Sequence, residues 1–251
     1  MMETSPAPWV TVFVPAYNEV QNLARCVQVI LAKMDELNLP VEILVVDDAS
    51  QDGTDLLAER IASREARVRL IRHAENLGIG GAFKTAIRHA RGVWLILIPA
   101  DLALDPDALR CYFESLDEVD AVVGLRSDFS DYNLLRKAVH FANIALIRSL
   151  FGVRLSQFQY ITLYRLEMLR ALEIEYWRSA FFLAEVLIKA HTLGYRLKEV
   201  EIRYAPRTQG KATGAKLKLL LLTVRDIFSF WLRWHRVGAR AACQRSARQP
   251  L

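Results

Sequence analysis

Two stretches decide the fold of this chain, VPAYNE at Val14–Glu19 and VVDDAS at Val45–Ser50. Each follows on from a short β-branched segment, Val10–Val14 or Val41–Val46, and ends in a polar turn. Segments this apolar and this short are typical of buried parallel strands, whose two faces are covered by helices. Because ligands of such sheets bind beyond the carboxyl ends of the strands, the turn residues predict a binding site.

The same alternation continues along the first half of the chain. Further strands are expected at Val68–Arg72, Val93–Ile98 and Ala121–Gly124, and helices at Glu19–Leu37, Gly53–Arg64, Gly80–Arg91 and Asp105–Leu116. Strands that alternate with helices of this length predict βαβ units. We therefore expect an α/β fold with a mostly parallel sheet and helices on both faces. Five successive strands would carry polar groups to one edge of that sheet.

The composition fits a folded enzyme with a basic C-terminal segment. Of the 251 residues, 53% are hydrophobic and 24% charged, which excludes global disorder. From Arg207 to Leu251 there are ten Lys and Arg against one acid, a net charge of +9, while residues 1–206 carry −4. Three cysteines without CxxC spacing, and no apolar signal core before Trp9, predict reduced thiols in a cytoplasmic protein. No nucleic-acid-binding motif accompanies the basic charge, so no nucleic acid partner is expected.

The basic segment contains an apolar stretch, Leu217–Trp234, which four charged residues interrupt. Charges near the bilayer centre cost roughly 2.5 kcal/mol or more each, so this stretch is not expected to span a membrane. One helical face would carry Leu220, Val224, Ile227, Phe228 and Trp231. Such a helix can lie in the membrane interface, with Trp231 and Trp234 at headgroup level and its basic residues near anionic lipid. A helix that packs on the domain, with a solvated basic tail, is the alternative.

Seven stretches of the chain carry a family resemblance. They are Val14–Glu19, Val45–Thr54, Glu75–Gly92, Pro99–Pro106, Val123–Arg126, Ala184–Tyr195 and Glu199–Gly210. In this order they resemble a family 2 glycosyltransferase of the GT-A type, most closely the dolichyl-phosphate mannose synthase-like branch that uses polyprenyl phosphates. The resemblance implies a Rossmann-like GT-A domain over residues 1–210 and a basic, membrane-interfacial amphipathic helix and tail over residues 211–251.

The resemblance also implies a site for a nucleotide-sugar donor, a GDP- or UDP-hexose. The substrate-binding residues expected on the donor side are Pro15, Tyr17, Glu19, Val46, Asp48 and Ala100. A carboxylate such as Asp48 suits this role because it accepts hydrogen bonds from ribose hydroxyls or base N–H groups. Capping of the following helix is the alternative for Asp47 and Asp48, although Ser50 or Asp52 could provide that cap.

Pro99-Ala100-Asp101 stands where members of this family usually carry Asp-X-Asp, and the branch often adds Gln two places later. Those side chains hold Mg²⁺ or Mn²⁺ against the diphosphate of the donor. Here Pro99 and Ala103 replace two of the usual ligands, and Asp101 remains as the expected metal ligand and catalytic residue. One carboxylate plus substrate phosphates suits Mg²⁺, which keeps several waters. Weaker metal binding, or partial replacement of the metal by cationic side chains, is the alternative.

Four cations are expected around the donor diphosphate and the acceptor phosphate. By the resemblance, Arg126 and Arg207 are catalytic, and Arg136 and Lys211 bind substrate. The planar guanidinium group suits bidentate contacts with phosphate oxygens. The five histidines show no metal-ligand spacing, and none is assigned a chemical role.

No catalytic base is evident, because Leu155–Thr162 lacks the acid and the Gly-Phe of the branch. A hydroxyl acceptor generally needs a base, whereas a phosphate monoester, with a second pKa of about 6, is mostly dianionic at neutral pH. A lipid phosphate acceptor is therefore favoured, although Asp101 or Glu185 could serve as a base. The apolar helix expected within Tyr132–Phe151 suits either a polyprenyl chain or packing on the domain.

The expected function is an inverting hexosyltransferase that moves a sugar from a nucleotide to a polyprenyl phosphate, peripherally bound at the cytosolic face of a membrane. A non-lipid acceptor is one alternative. A degenerate nucleotide-sugar-binding scaffold is another, motivated by Pro99, Ala103 and the altered segment Ser156–Thr162. The glycine turn at Gly78–Gly81 is not a phosphate loop, because Phe83 stands where the Walker pattern requires glycine, so a structural role is expected.

Overall fold

A computed structural model describes residues 7–102, 104–129, 134–202 and 217–238 of the chain. The fold is built around a seven-stranded sheet in the order β3-β2-β1-β4-β6-β5-β7. The strands are β1 (Val10–Ala16), β2 (Val41–Asp47), β3 (Val68–Arg72), β4 (Trp94–Leu97), β5 (Ala121–Arg126), β6 (Thr162–Arg165) and β7 (Leu197–Ile202).

The sheet is mostly parallel, as expected. β1 pairs in parallel with β2 and β4, β2 with β3, and β5 with β7. The expectation of five adjacent parallel strands is wrong in one respect, because β6 lies between β4 and β5 and is antiparallel to both. Two antiparallel pairings restore the strand direction, so β5 still runs parallel to β4. The carboxyl ends of β1 to β5 therefore lie at the same edge of the sheet.

Helices cover both faces of the sheet, which confirms the α/β fold class. They are α1 (Leu23–Glu36), α2 (Thr54–Arg64), α3 (Gly78–His89), α4 (Leu109–Phe113), α5 (Leu134–Phe151), α6 (Leu166–Ala171), α7 (Phe182–Thr192) and α8 (Leu217–Val237). Alternate residues of β1 enter two apolar cores, because successive strand side chains point to opposite faces. Phe13 packs with Phe83 of α3 in one core, and Val12 lies with Ile30 of α1 in the other.

Buried polar groups at the amino ends of β1 and β2 are paired within the protein. The Thr11 hydroxyl donates to Glu42 at 2.7 Å, and Arg69 forms an ion pair with the same carboxylate at 2.7 Å. The backbone N–H of Arg91 also donates to Glu42. A buried carboxylate tolerates its loss of water when it is paired in this way. The polar groups at this end of the sheet therefore have a structural role.

Helix α8 packs on the domain and has two apolar sides. Ile227 and Phe230 are completely buried, and Trp234 packs edge-on against Phe151 of α5 with ring centroids 5.3 Å apart. The expectation that Ile227 and Trp231 face lipid is wrong, because the first is buried and the second packs partly against the core. A second group of large apolar side chains remains exposed, comprising Leu220, Leu221, Val224, Phe228 and Leu232. Within the described ranges, no helix combines the length and apolarity needed to cross a membrane.

Candidate active site

The turns after β1 and β2 are joined by hydrogen bonds into one wall. The backbone N–H of Asn18 donates to the Ser50 hydroxyl at 3.0 Å, and the Asn18 side chain accepts from the N–H of Gln51 at 2.9 Å. The N–H of Glu19 donates to the hydroxyl of Thr54 at 2.8 Å. The two motifs that the sequence assigns to the nucleoside therefore form a single structural unit.

Asp52 completes this wall. Its carboxylate accepts hydrogen bonds from the N–H of Val20 and from both the N–H and the hydroxyl of Thr54. Despite partial desolvation, which raises the pKa of Asp52, these hydrogen bonds hold that pKa below its usual value. Asp52 therefore fixes the start of α2, one of the two capping alternatives that the sequence offered.

Strained backbone conformations occur in the turns after β1, β2 and β4. Asn18, Ala49 and Leu102 have positive φ values of 57°, 62° and 50°. Residues other than glycine adopt this region at a cost, and such strain tends to accumulate at binding sites. Three strained turns at one edge of the sheet agree with the site that the sequence predicts there.

Asp48 caps helix α3 from the end of β2. Its carboxylate accepts from the backbone N–H groups of Leu77 at 2.9 Å and Gly78 at 2.7 Å. His73 contacts the same carboxylate through Nδ1 at 2.7 Å and reaches Thr85 of α3 through Nε2 at 2.9 Å. An ionised carboxylate offers about four acceptor positions, so Oδ2, whose one partner among the described residues is the N–H of Gly78, can accept one more hydrogen bond.

Asp47 is buried at the end of β2 and caps neither helix. Its Oδ2 accepts from the N–H of Ser50 at 3.3 Å, while its Oδ1 is buried and has no hydrogen-bond partner among the described residues. Buried acceptors are normally paired in folded proteins. This carboxylate is therefore a second acidic group at the edge where the donor is expected.

The carboxylates of Asp101 and Glu19 are both close enough to the thiol of Cys26 to affect its titration. Burial, with the negative charges of Asp101 and Glu19, raises the pKa of Cys26 well above its usual value. The thiol of Cys26, on α1, is 3.7 Å from the carbonyl oxygen of Pro99. The turn after β1 and the turn after β4 thus bring their carboxylates to the same region.

Arg126 ends β5 and is almost completely buried. The side-chain amide of Gln157 accepts from the N–H of Arg126 at 3.1 Å and donates to its carbonyl oxygen at 2.7 Å, as a neighbouring strand would. The guanidinium group donates through Nε to the carbonyl oxygen of Asp128 and lies 5.4 Å from the ring of Phe129. Gln157 therefore fixes the backbone from which this arginine extends.

Arg126 and Arg136 are both close enough to His140 to affect its titration. Desolvation, together with the positive charges of Arg126 and Arg136, lowers the pKa of His140. The His140 ring also contacts Phe129 and Phe141, with centroid distances of 5.0 and 5.3 Å. The carboxyl end of β5 and the first half of α5 thus form an electropositive region.

The remaining predicted site residues have different surroundings. Tyr17 is exposed and Pro15 partly so at the end of β1, whereas Ala100 is buried in the turn before Asp101. Val46 is completely buried and packs in the core, so its side chain does not line the edge. Three residues lie outside the described ranges, namely Arg207, Lys211 and Ala103.

Glu185 is unsuited to act as a base at this edge. It is completely buried on α7, where its carboxylate accepts from the N–H groups of Glu175 and Tyr176 and from Lys189. Burial raises the pKa of Glu185, against the opposing effect of Lys189. Its two oxygens therefore accept hydrogen bonds from buried groups of the protein and do not face an acceptor substrate.

Gly80 and Gly81, in the first turn of α3, serve packing, as expected. A β-carbon on Gly80 would overlap the carbonyl oxygen of Trp177, and one on Gly81 would lie 2.5 Å from the β-carbon of Leu77. Phe83 is buried against Phe13. Glycine is thus required because a neighbouring backbone approaches the helix closely.

Sequence reasoning missed three residues of the site, His73, Gln157 and His140. Their partners lie on other elements, and no local motif marks such pairing. The described part of the chain has no group of three His, Cys, Asp or Glu side chains able to hold a metal ion. Protein side chains alone therefore do not form a metal site there.

Known proteins with similar sequences are named as glycosyltransferases. The chain is 28% identical over 225 residues to the undecaprenyl-phosphate 4-deoxy-4-formamido-L-arabinose transferase of Edwardsiella ictaluri, covering 88% of this chain and 68% of that protein. It is 29% identical over 215 residues to glycosyltransferase AglD of Haloferax volcanii, covering 80% of this chain and 34% of that protein.

Solved structures of low sequence identity share the fold. A mannosyltransferase from Pyrobaculum calidifontis in complex with GDP-Man and Mn²⁺ has a TM-score of 0.58 at 22% identity, over 81% of this chain and 59% of that one. A glucosyl-3-phosphoglycerate synthase from Mycobacterium tuberculosis with Mn²⁺, UDP and product has a TM-score of 0.63 at 18% identity, over 97% of this chain and 83% of that one. The family model "Glycosyl transferase family 2" matches residues 11–173, well over half of the sequence. The chain therefore belongs to glycosyl transferase family 2.

Proposed function

We propose that this chain transfers a hexose from a GDP- or UDP-sugar to a polyprenyl phosphate, with inversion at the anomeric carbon. One observation carries the proposal. The same edge of the sheet presents two carboxylates, Asp101 and Glu19, whose charges both act on Cys26, and two cations, Arg126 and Arg136, whose charges both act on His140. The relative from Edwardsiella ictaluri, named for an undecaprenyl-phosphate substrate, supports a lipid phosphate as acceptor.

In the proposed reaction, an oxygen of the acceptor phosphate forms a bond to the anomeric carbon. The bond from that carbon to the nucleotide diphosphate breaks, and its electron pair leaves with the diphosphate. A phosphate monoester with a second pKa of about 6 is already ionised at neutral pH, so it attacks without a base. Arg126 and Arg136 would orient the acceptor, and most of the rate would come from positioning and charge compensation.

A divalent cation fits the turn that carries Asp101 only together with the donor. Asp101 supplies one carboxylate, and Mg²⁺ or Mn²⁺ can complete its coordination with substrate phosphates and water. Mn²⁺ in the structures from Pyrobaculum calidifontis and Mycobacterium tuberculosis supports such a cofactor. When bound, the ion would neutralise charge on the diphosphate. Asp48 and Glu19 would bind the nucleoside, and Arg207 and Lys211, outside the described ranges, are proposed to contact phosphates.

Peripheral binding to the cytosolic face of a membrane belongs to the same proposal. The exposed apolar side chains of α8 and the +9 charge of residues 207–251 support it. Apolar side chains beside basic groups suit an interface that contains anionic lipid. The acceptor would then be reached from the membrane on which the chain lies.

The test uses radiolabelled GDP- and UDP-hexoses with vesicles that contain a polyprenyl phosphate, with and without chelator. Transfer of label to lipid is expected. Asp101→Ala should lower kcat/KM roughly 100-fold or more, the size of loss typical for a group that stabilises developing charge. Asp107→Ala is the matched control, because Asp107 is exposed and pairs with Lys33. Label found on a water-soluble acceptor alone would favour the non-lipid alternative, and binding without any transfer would favour a scaffold.

A further inference from the structure

A cluster of buried charges joins α7 to the segment that precedes it. Lys189 is almost completely buried, and its ammonium donates to Glu185 at 2.7 Å, to the Glu175 carboxylate at 2.8 Å and to the carbonyl oxygen of Glu173 at 2.6 Å. Glu185 in turn holds the N–H groups of Glu175 and Tyr176, both at 3.0 Å. One i, i+4 pair on α7 therefore fixes the backbone of residues 173–176.

The C-terminal helix closes this cluster from the other side. Arg233 of α8 forms an ion pair with Glu175, and Phe230 places its ring 5.3 Å from the Lys189 ammonium. The Phe230 ring also packs on Tyr176, with centroids 5.7 Å apart. Buried ion pairs depend on complete pairing, so loss of α8 contacts would loosen residues 173–176.

Residues 173–178 also reach the donor side of the site. The Trp177 backbone lies directly against Gly80 in the first turn of α3, and Lys84 of α3 donates to the carbonyl oxygen of Ile174 at 3.1 Å. That first turn begins at Gly78, whose N–H holds Asp48. A continuous set of contacts thus runs from α8, through residues 173–178, to the carboxylate expected to bind the nucleoside.

We infer that Arg233 and Lys189 are positioning residues for the nucleotide-sugar site, acting through residues 173–178 and the first turn of α3. Helix α8 would then influence donor binding through residues 173–178. The inference rests on the proposed function for the identity of the ligand. The contacts that carry it involve Glu175, Trp177 and Gly80, and they hold whichever sugar is transferred.

Arg233→Gln in the full chain tests this inference, because the Arg233 side chain is about one-third exposed and its ion pair with Glu175 is the link from α8 to this segment. The KM for the nucleotide sugar should rise by about three- to ten-fold, the range of coupling between sites, with kcat and the acceptor KM nearly unchanged. Arg233→Lys should restore most of the affinity. Arg236→Gln, at an exposed position of the same helix, is the matched control and should change nothing.

Two further measurements separate positioning from general damage. Glu175→Gln should raise the donor KM at least as much as Arg233→Gln, because Glu175 also pairs with Lys189, and the double variant should be no worse than Glu175→Gln alone. Hydrogen exchange should speed up at residues 174–178 and at the N–H groups of Leu77 and Gly78 in Arg233→Gln but not in Arg236→Gln.

Unchanged exchange at Leu77 and Gly78, or an equal rise in the donor and acceptor KM, would overturn the inference. If the wild-type chain binds no nucleotide, the proposed function fails instead, and the exchange measurement still decides whether Arg233 acts on the turn. Lys189→Met is expected to be less informative about binding, because it leaves Glu185 buried without its cation. If the Lys189→Met variant unfolds, the result agrees with a buried charge cluster that holds residues 173–176. A fully stable variant with normal hydrogen exchange would contradict the inference.

Discussion

At Ala49, in the turn after β2, the backbone has a φ of 62°, a conformation that costs most residues roughly 1–2 kcal/mol. Ala49→Gly removes this cost, although glycine loses more entropy on folding, by about 0.5–1 kcal/mol relative to alanine. We expect a net gain in the free energy of unfolding of about 0.5 kcal/mol. Urea unfolding measures it. Ala32→Gly, at an exposed position of α1, is the control and should destabilise by about 0.5–1 kcal/mol. A lower free energy of unfolding in both variants would contradict the argument from backbone strain.

The positions of Asp48, Asp101 and Arg126 at one edge were predictable, because each lies at or just beyond the end of an apolar segment that the sequence predicts as a strand. Their partners were not. Asp48 is held by Leu77 and His73, which lie 29 and 25 residues further along the chain. Local spacing carries no information about which helix begins beside a given strand end. Asp48 therefore caps α3, whereas the capping alternative considered from the sequence concerned α2.

Among the elements, helices α1 to α3 and the first five strands were readable from the sequence, whereas β6 and β7 were not. β1 and β2 are almost entirely buried runs of β-branched residues, and such runs stand out in any sequence. β7 (Leu197–Ile202) is half exposed and contains Lys198 and Glu199, so its pattern resembles a surface segment. β6 has only four residues, and its antiparallel place between β4 and β5 depends on the chain returning from α5. Long-range topology of this kind leaves no local signature.

An ion network joins α1 to the loop between α2 and β3 and should make stability depend on pH. Arg67 contacts both oxygens of Glu65 at 3.0 Å and reaches Asp35 of α1. The hydrogen bonds from Arg67 lower the pKa of Glu65. A lowered carboxyl pKa adds stability that is complete above the unfolded value, about 4.5, and is lost as the pH falls through the lower folded value.

Glu65→Gln should therefore reduce the free energy of unfolding by up to about 1 kcal/mol at pH 7, as for other partly exposed pairs. The difference from wild type should shrink steadily as the pH falls below about 4.5. Thermal unfolding across a pH series checks this. Glu167→Gln, at an exposed position on α6, is the control and should show no such trend. A difference that stays constant from pH 7 to pH 3 would exclude the ion pair as its cause.

On the scale of the whole molecule, charge and apolar surface are unevenly distributed. Residues 1–206 carry a net charge of −4 and residues 207–251 carry +9. The inner side of α8 binds the domain through Ile227 and Phe230, which leaves Leu221 and Phe228 outside. Exposed apolar groups of this size beside basic residues are typical of a surface that meets a partner. Anionic lipid, the partner proposed above, would match both the charge and the apolar groups.

The double substitution Leu221→Glu and Phe228→Glu should weaken binding to vesicles of anionic lipid at least about ten-fold, because each side chain loses apolar contact worth about 1 kcal/mol or more and gains a repelled charge. Co-sedimentation measures the binding, and added salt should reduce that of the wild type, since exposed charges are screened. Leu56→Glu is the matched control, because Leu56 is equally exposed but lies on α2. The fold should persist in both variants by circular dichroism, as neither position is buried. Wild-type binding by the α8 variant, or an equal loss in the Leu56 variant, would show that lipid does not contact this side of α8.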